Sequence, residues 1–512
     1  MNHRRSTPVA LAAAAIAGVL VLSACSGTKA PAQAEEWDGA AMETATISLP
    51  APNSSFDPTA SVSATDRIAS VLMNTSLFLT SADGTVEPGL AEAVEFNGDF
   101  TEATVSLRDA NFSDGTPITA ADVAATYNRH KTVEGSTIGS VTDRIDSVEA
   151  VDDATARFSF PAPYPSFEDQ AGTLAIYSVA AMENADEYFA SPTVTSGQYT
   201  IKNGWSANKL TLTANDGYYG GTPIVQELTF EVIEDANSAI SQLQSGQIDF
   251  AGDLAPNFVT QLEGTAGIRV LSSPVFGFYD LRLQNLHGPL ADVNVRKAVN
   301  AALDREAIVT SIWGENNKPQ SGFWPESMAG HDDSKSVKQD LGAAREFLNG
   351  TECESGCSVS MMYSDQDFPF SGQLALMVQN QLAEIAIDVK LEKLDASTMI
   401  DRLFAADYDM VPGAMASTGN IPDPLLANAL YGPGFLKSEF TGYNSDEMNA
   451  LISIVNEDGG DLRAQAVEDI EALFSVDQPY VTLAPWVRGS ATTLPEGVFE
   501  LIGASARMGN LD

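Results

Sequence analysis

Histidine, cysteine and positive charge are scarce in this sequence, and each shortage rules out a class of function. Four histidines in 512 residues offer no His-Glu-x-x-His pair for a catalytic zinc, and no Gly-x-Ser-x-Gly nucleophile elbow occurs. A glycosidase, which needs only two carboxylates among the 69 acidic residues, is kept as a remote alternative. Three cysteines are too few for a disulfide-built scaffold. With 27 Lys and Arg, the net charge is −42, which repels a phosphate backbone and excludes nucleic acid as a partner. Beyond the N-terminus no run of eighteen apolar residues is present, so no membrane-spanning helix is expected there.

What is present begins with an export signal. Arg4 and Arg5 precede the apolar run Val9 to Leu22, and small residues then lead to Cys25. As a helix that run reaches only about 21 Å, short of the roughly 30 Å hydrocarbon core, so residues 1–24 read as a cleaved signal peptide. Leu22-Ser23-Ala24-Cys25 resembles the bacterial lipobox, which implies acylation of Cys25, palmitate included. Residues 25–36 then form a polar tether, and the chain is expected on the extracytoplasmic face of the cell membrane, held by lipid. Cys353 and Cys357 share the turn-like Cys-Glu-Ser-Gly-Cys. Outside the cytoplasm that pair reads as a small-loop disulfide in preference to a metal site, since no histidine lies nearby.

Helical and strand patterns alternate throughout, which predicts an α/β architecture of more than one lobe. Thr119 with Asp122 predicts a capped helix start, and Ile240 and Leu243 predict a helix ended by Gly246 before a strand from Ile248 to Ala251. Val295 to Trp313 reads as one surface helix, with Arg296, Lys297, Asp304 and Arg305 on its other faces. Leu374, Val378, Leu382 and Ile385 form a helical stripe before a strand through Val389 and Leu391. The three histidines beyond the signal, His130, His287 and His331, read as surface residues.

Ordered phrases run across these elements: Asp57-Pro58; Asp83 to Glu92, read as a turn leading into a helix; Leu107 to Val123; and Ser196 to Tyr199 with Asn215 to Tyr219. Leu243 to Asp249, Asp292 to Ala298 and Ala302 to Glu306 follow. In this order they resemble the extracytoplasmic solute-binding proteins of family 5, the peptide/nickel type that includes dipeptide- and oligopeptide-binding proteins. The resemblance implies the type II periplasmic-binding-protein fold, two lobes joined by a hinge with an extra third domain. It places lobe I at 37–73, 190–280 and 485–512, the small domain at 74–189, and lobe II at 281–484. It implies a monomer that is no enzyme, needs no cofactor or metal, and hands a small polar ligand to an ABC permease and its ATPase. The same fold also serves a ligand-sensing receptor, and a metal chelate or a sugar can replace the peptide.

Relatives that bind peptides meet the α-amino group with an aspartate three residues before an acidic-Pro pair. Here that pair is Asp423-Pro424, and the earlier position is Asn420. The arginine that meets a dipeptide's carboxylate aligns with Gln373. Amides cannot balance two desolvated end charges, so a zwitterionic dipeptide is expected to bind poorly and a neutral polar ligand or longer peptide better. Asn420, Asp423, Gln373, Trp486 and Trp324 are the expected ligand-binding residues, the tryptophans being preferred over Trp205 and Trp313 as stacking walls.

Overall fold

The computed structural model describes residues 39–510, apart from 52–54, 61–63, 82–84, 135, 137, 316, 327, 333, 335–336, 366–367, 369, 418–421, 431–440 and 503–504. Cys25 with its tether and Asn420 lie outside the described residues. Among those described, no helix is long and apolar enough to cross a membrane.

One mixed ten-stranded sheet runs through the molecule. Its order is Ile387–Lys393, Cys357–Tyr363, Met410–Ser417, Arg269–Leu283, Tyr480–Thr492, Phe250–Leu254, Met42–Leu49, Val225–Val232, Lys209–Ala214 and Tyr199–Ser206. The two central strands, 15 and 13 residues long, are antiparallel to each other and belong to both halves. On one side the upper part of Tyr480–Thr492 pairs with Phe250–Leu254; on the other, the later part of Arg269–Leu283 pairs with Met410–Ser417.

Each half has its own core. Ile47, Leu49, Ile68, Leu72, Phe230 and Phe250 fill the first. The second half is apolar on both sheet faces: Leu281, Val299, Leu374 and Val389 lie on one, Phe278, Trp324, Ile452 and Phe474 on the other. A separate four-stranded sheet, built from residues 91–159, packs on helix Ala120–Lys131 through Val105, Val123, Tyr127 and Phe158. That small unit's core ends at Ile176. Helices Val179–Glu183 and Ala185–Ala190 instead send Ala181, Met182 and Phe189 into the first half.

Several local readings meet their structures. The Asp122 carboxylate accepts from Thr119 N at 2.8 Å and so closes the helix start. Gly246 takes φ +70 after helix Ala236–Gln244, a left-handed turn that suits glycine. Cys353 and Cys357 are joined as a disulfide.

Others are corrected. The Asp83–Glu92 phrase leads into strands, Val86–Pro88 and Ala91–Phe96, because Val94 and Phe96 alternate with exposed Glu95 and pair with Glu102–Leu107. Val295 to Trp313 is two helices, Val293–Ala302 and Arg305–Trp313. The Asp304 side chain accepts from Ala307 N and so starts a second helix where the first would have continued. Arg296 and Arg305 are buried, at 6% and 3% exposure. Arg296 donates to the carbonyls of Leu290, Ala291, Asp477 and Gln478, and Arg305 to those of Asn300 and Thr482. Burial pulls both guanidinium groups down to about 10, still charged at neutral pH. His130, read as a surface residue, is 1% exposed.

Candidate functional site

The ladder between the two long strands breaks in the middle. Pro274 faces Val487 and Phe278 faces Pro485, and the register shifts between those pairs and again between Tyr279 and Asp280. Two prolines without N–H donors sit at the break, which supplies its cause. Trp486 follows Pro485 at this interruption.

Successive strand residues face opposite ways, and the sequence uses both faces here. Phe278 enters the core shared with Trp324. Tyr279 points to the other side and gathers an aromatic shelf. It stacks on Trp313 at 4.8 Å and 15°, meets Phe370 edge-on at 5.2 Å, and lies 6.2 Å from Phe368 and 5.8 Å from Trp486. Trp313 ends its helix, and Phe370 precedes helix Ser371–Ala383, so two helix ends supply the rings. Tyr279, Phe368, Phe370 and Trp486 are half-buried, whereas Trp313 beneath them is 2% exposed. Among the described residues the Trp313 indole N–H reaches no acceptor. An unmet buried donor costs about 1–3 kcal/mol.

Gln373 stands beside this shelf, exposed in the first turn of helix Ser371–Ala383, and its Nε2 donates to Ser311 O at 3.1 Å. The amide therefore ties the two helices that carry Phe370 and Trp313. On the opposite strand face Asp280, 1% exposed, lies 3.3 Å from Arg282. Burial pushes its carboxyl up to about 6, although Arg282 pulls it down.

Trp324 belongs to the core: it is 0% exposed, its Nε1 donates to Val467 O at 3.0 Å, and it offers no face to a cleft. Asp423 is elsewhere too. It sits 2% exposed in the first turn of helix Pro422–Ala429, where its carboxylate accepts from Arg463 Nη2 at 2.5 Å and Ser166 Oγ at 2.8 Å. Arg144 Nη1 stands 3.7 Å away. Ser166 and Arg144 come from the small unit and Arg463 from the second half, so Asp423 joins the two. The structure thus groups Trp486 and Gln373 and separates them from Trp324 and Asp423.

Sequence reasoning passed over Tyr279, Phe368 and Phe370. The signals were Phe276-Gly277-Phe278-Tyr279 in one strand and Phe368-Pro369-Phe370 in a loop, aromatic density greater than one core face needs. A shelf of this kind takes a peptide plane, an apolar side chain or a cation over its rings, and it presents no charge of its own.

Comparison with known proteins identifies the family and the fold. The family model for bacterial extracellular solute-binding proteins, family 5 Middle, matches residues 85–436. The chain is 30% identical over 338 residues to the probable D,D-dipeptide-binding periplasmic protein DdpA of Escherichia coli (strain K12), covering 64% of this chain and 65% of that protein, just under two thirds of its length. It is 25% identical over 454 residues to the oligopeptide-binding protein OppA of Bacillus subtilis (strain 168), covering 80% of this chain and 82% of that one. Among solved structures, DppA from Helicobacter pylori in complex with peptide STSA superposes with a TM-score of 0.77 at 22% identity, covering 90% and 96% of the two chains. The fold is that of the type II periplasmic binding proteins.

Proposed function

The chain belongs to family 5 of the bacterial extracellular solute-binding proteins, and from that premise we propose that it captures a peptide or other small polar solute between its halves and delivers it to an ABC permease and its ATPase. It acts as a monomer on the outer face of the membrane, anchored through lipid on Cys25. Relatives named for dipeptides and oligopeptides support the ligand class.

The observation that carries the reading is the half-exposed aromatic shelf at the break between the two shared strands. A ligand lying there touches two continuous strands that belong to both halves, so its binding energy depends on how those halves are set. No catalytic group is required for that coupling.

The preferred ligand lacks charged ends at the shelf. Gln373 stands where a dipeptide binder would place an arginine, and the Asp423 carboxylate is taken up by Arg463 and Ser166. A desolvated end charge without a partner costs several kcal/mol. Asn420 supplies an amide in the same scheme.

Calorimetry with the peptide Ala-Phe-Ala-Ala, free and with acetylated and amidated ends, tests this. The capped form should bind at least as well as the free one. A preference of about tenfold or more for the free peptide would overturn the uncharged-end reading. Native mass spectrometry of the purified protein should show a retained small molecule, and turnover of that molecule would sink the transport reading. Cys25→Ser should abolish palmitate labelling and release the protein from the membrane fraction.

A further inference from the structure

A second cavity lies away from the shelf, at the seam between the small unit and the first half. Its volume is about 250 Å³, and its lining comes from residues 71, 74–76, 78–80, 87–88, 108, 173, 175, 198, 218–220 and 510, with none from 281–484. A guest in it would therefore touch only one side of the hinge.

The chemistry of the wall is specific. Arg108 lines the cavity with its guanidinium 5.2 Å over the Tyr219 ring. Among the described residues the guanidinium has no ion pair, and its buried Nε donates to no acceptor, in a chain where 69 acidic residues compete for 27 cations. Beside it the Thr75 and Tyr219 hydroxyls are 3.1 Å apart. Asn74, 5% exposed, also lines the cavity, and its Oδ1 accepts from no donor. Gln198 is already committed to Met508 O and Asn510, which stiffens that side. Glu87 is the one acidic group in the lining.

We propose that this cavity is a second ligand site, separate from the hinge shelf, which takes a small organic anion with its carboxylate or phosphate on Arg108 and a donor group toward Asn74. A planar guanidinium held by an aromatic face is pre-oriented for bidentate binding of either oxyanion. The ring also replaces part of the hydration that an exposed arginine would keep, so less water must be displaced when the anion arrives. Because no residue of the second half contributes, occupancy should leave the relative setting of the halves unchanged.

Titration calorimetry with acetate and with inorganic phosphate on the purified protein tests the site, the two probes distinguishing carboxylate from phosphate. One of them should bind saturably, and Arg108→Gln should weaken it by about tenfold or more while Arg108→Lys weakens it less. Small-angle scattering should show no change of radius on binding. Failure of both probes to bind, an unaltered affinity in Arg108→Gln, or a radius that contracts with the anion would each overturn the proposal. Should Arg108→Gln fail to fold, a crystal of the unaltered protein soaked in the tighter probe decides: an anion within hydrogen-bond distance of Arg108 supports the site, and an empty cavity refutes it. Neither result bears on ligand capture at the shelf.

Discussion

Two of the contacts between the halves of the molecule could hardly differ more. At the hinge they share two continuous strands, and one face of the break carries half-exposed rings with no charge among them. At the far contact no backbone is shared, and the small unit holds the second half through one buried carboxylate, two arginines and a serine. That carboxylate stands in a chain of hydrogen bonds: Gln170 Nε2 donates to Ser166 Oγ at 2.8 Å, and Tyr164 donates to Gln170 at 3.3 Å. Arg144 also lies 3.7 Å over the Tyr164 ring and donates to Asn456 O at 2.8 Å. The contrast assigns different work to each. The hinge cannot be lost without unfolding, whereas no strand runs through the far contact, so the halves are expected to separate there.

The largest test removes that carboxylate. Asp423→Ala removes the buried carboxylate that two half-buried guanidinium groups share and should cost about 1.5–3 kcal/mol in chemical denaturation, or show a wider molecule by scattering if the halves part first. If it instead weakens ligand binding with stability and dimensions intact, Asp423 is a ligand residue and the contrast fails.

Acid titration separates regions next, with opposite signs. His130, in the small unit, is held down to about 4 by burial and then by Arg129. The unfolded chain takes up that proton from about 6.5, so stability is lost as pH falls from about 6.5 to 4, by roughly 3 kcal/mol at the limit. Asp280, at the hinge, runs the other way. Its carboxyl is raised to about 6 in the folded molecule, so stability falls as pH rises from about 4 to 6, again by roughly 3 kcal/mol. Melting profiles of His130→Leu should lose the first slope and those of Asp280→Asn the second; an unaltered profile in either variant removes that region from the pH response.

Smaller effects are expected at the shelf itself. Trp486→Ala should weaken a bound peptide by about tenfold, roughly 1.4 kcal/mol, with little change in denaturation midpoint. Gln373→Ala loses one exposed hydrogen bond and should cost about 1 kcal/mol or less in stability. Should Gln373→Arg make the free-ended dipeptide Ala-Phe bind, as fluorescence of Trp486 would report, the amide is what excludes the charged end.

Much of the scaffold was legible where the cause is local. The Thr119 and Asp122 cap, the Gly246 turn and the stripe from Leu374 to Ile385 depend on neighbours within a few residues. Long-range causes were not legible. Arg296 and Arg305 read as solvent-facing because charge usually is, yet backbone carbonyls of the 477–482 segment draw both inside. Trp324 shows the same limit in reverse, since nothing in a loop flanked by Gly and Pro announces that Phe323, Val467 and Phe474 will enclose it. The shelf itself joins positions 279, 313, 370 and 486, and only the sheet order makes them neighbours.

The two buried arginines also fix how the molecule can bend. By gripping the carbonyls of Asp477 and Gln478 just ahead of Tyr480–Thr492 and that of Thr482 within it, Arg296 and Arg305 clamp the lower end of that strand like a bearing. Any rotation of one half against the other is then left to the few residues around Pro485, where the ladder is already broken.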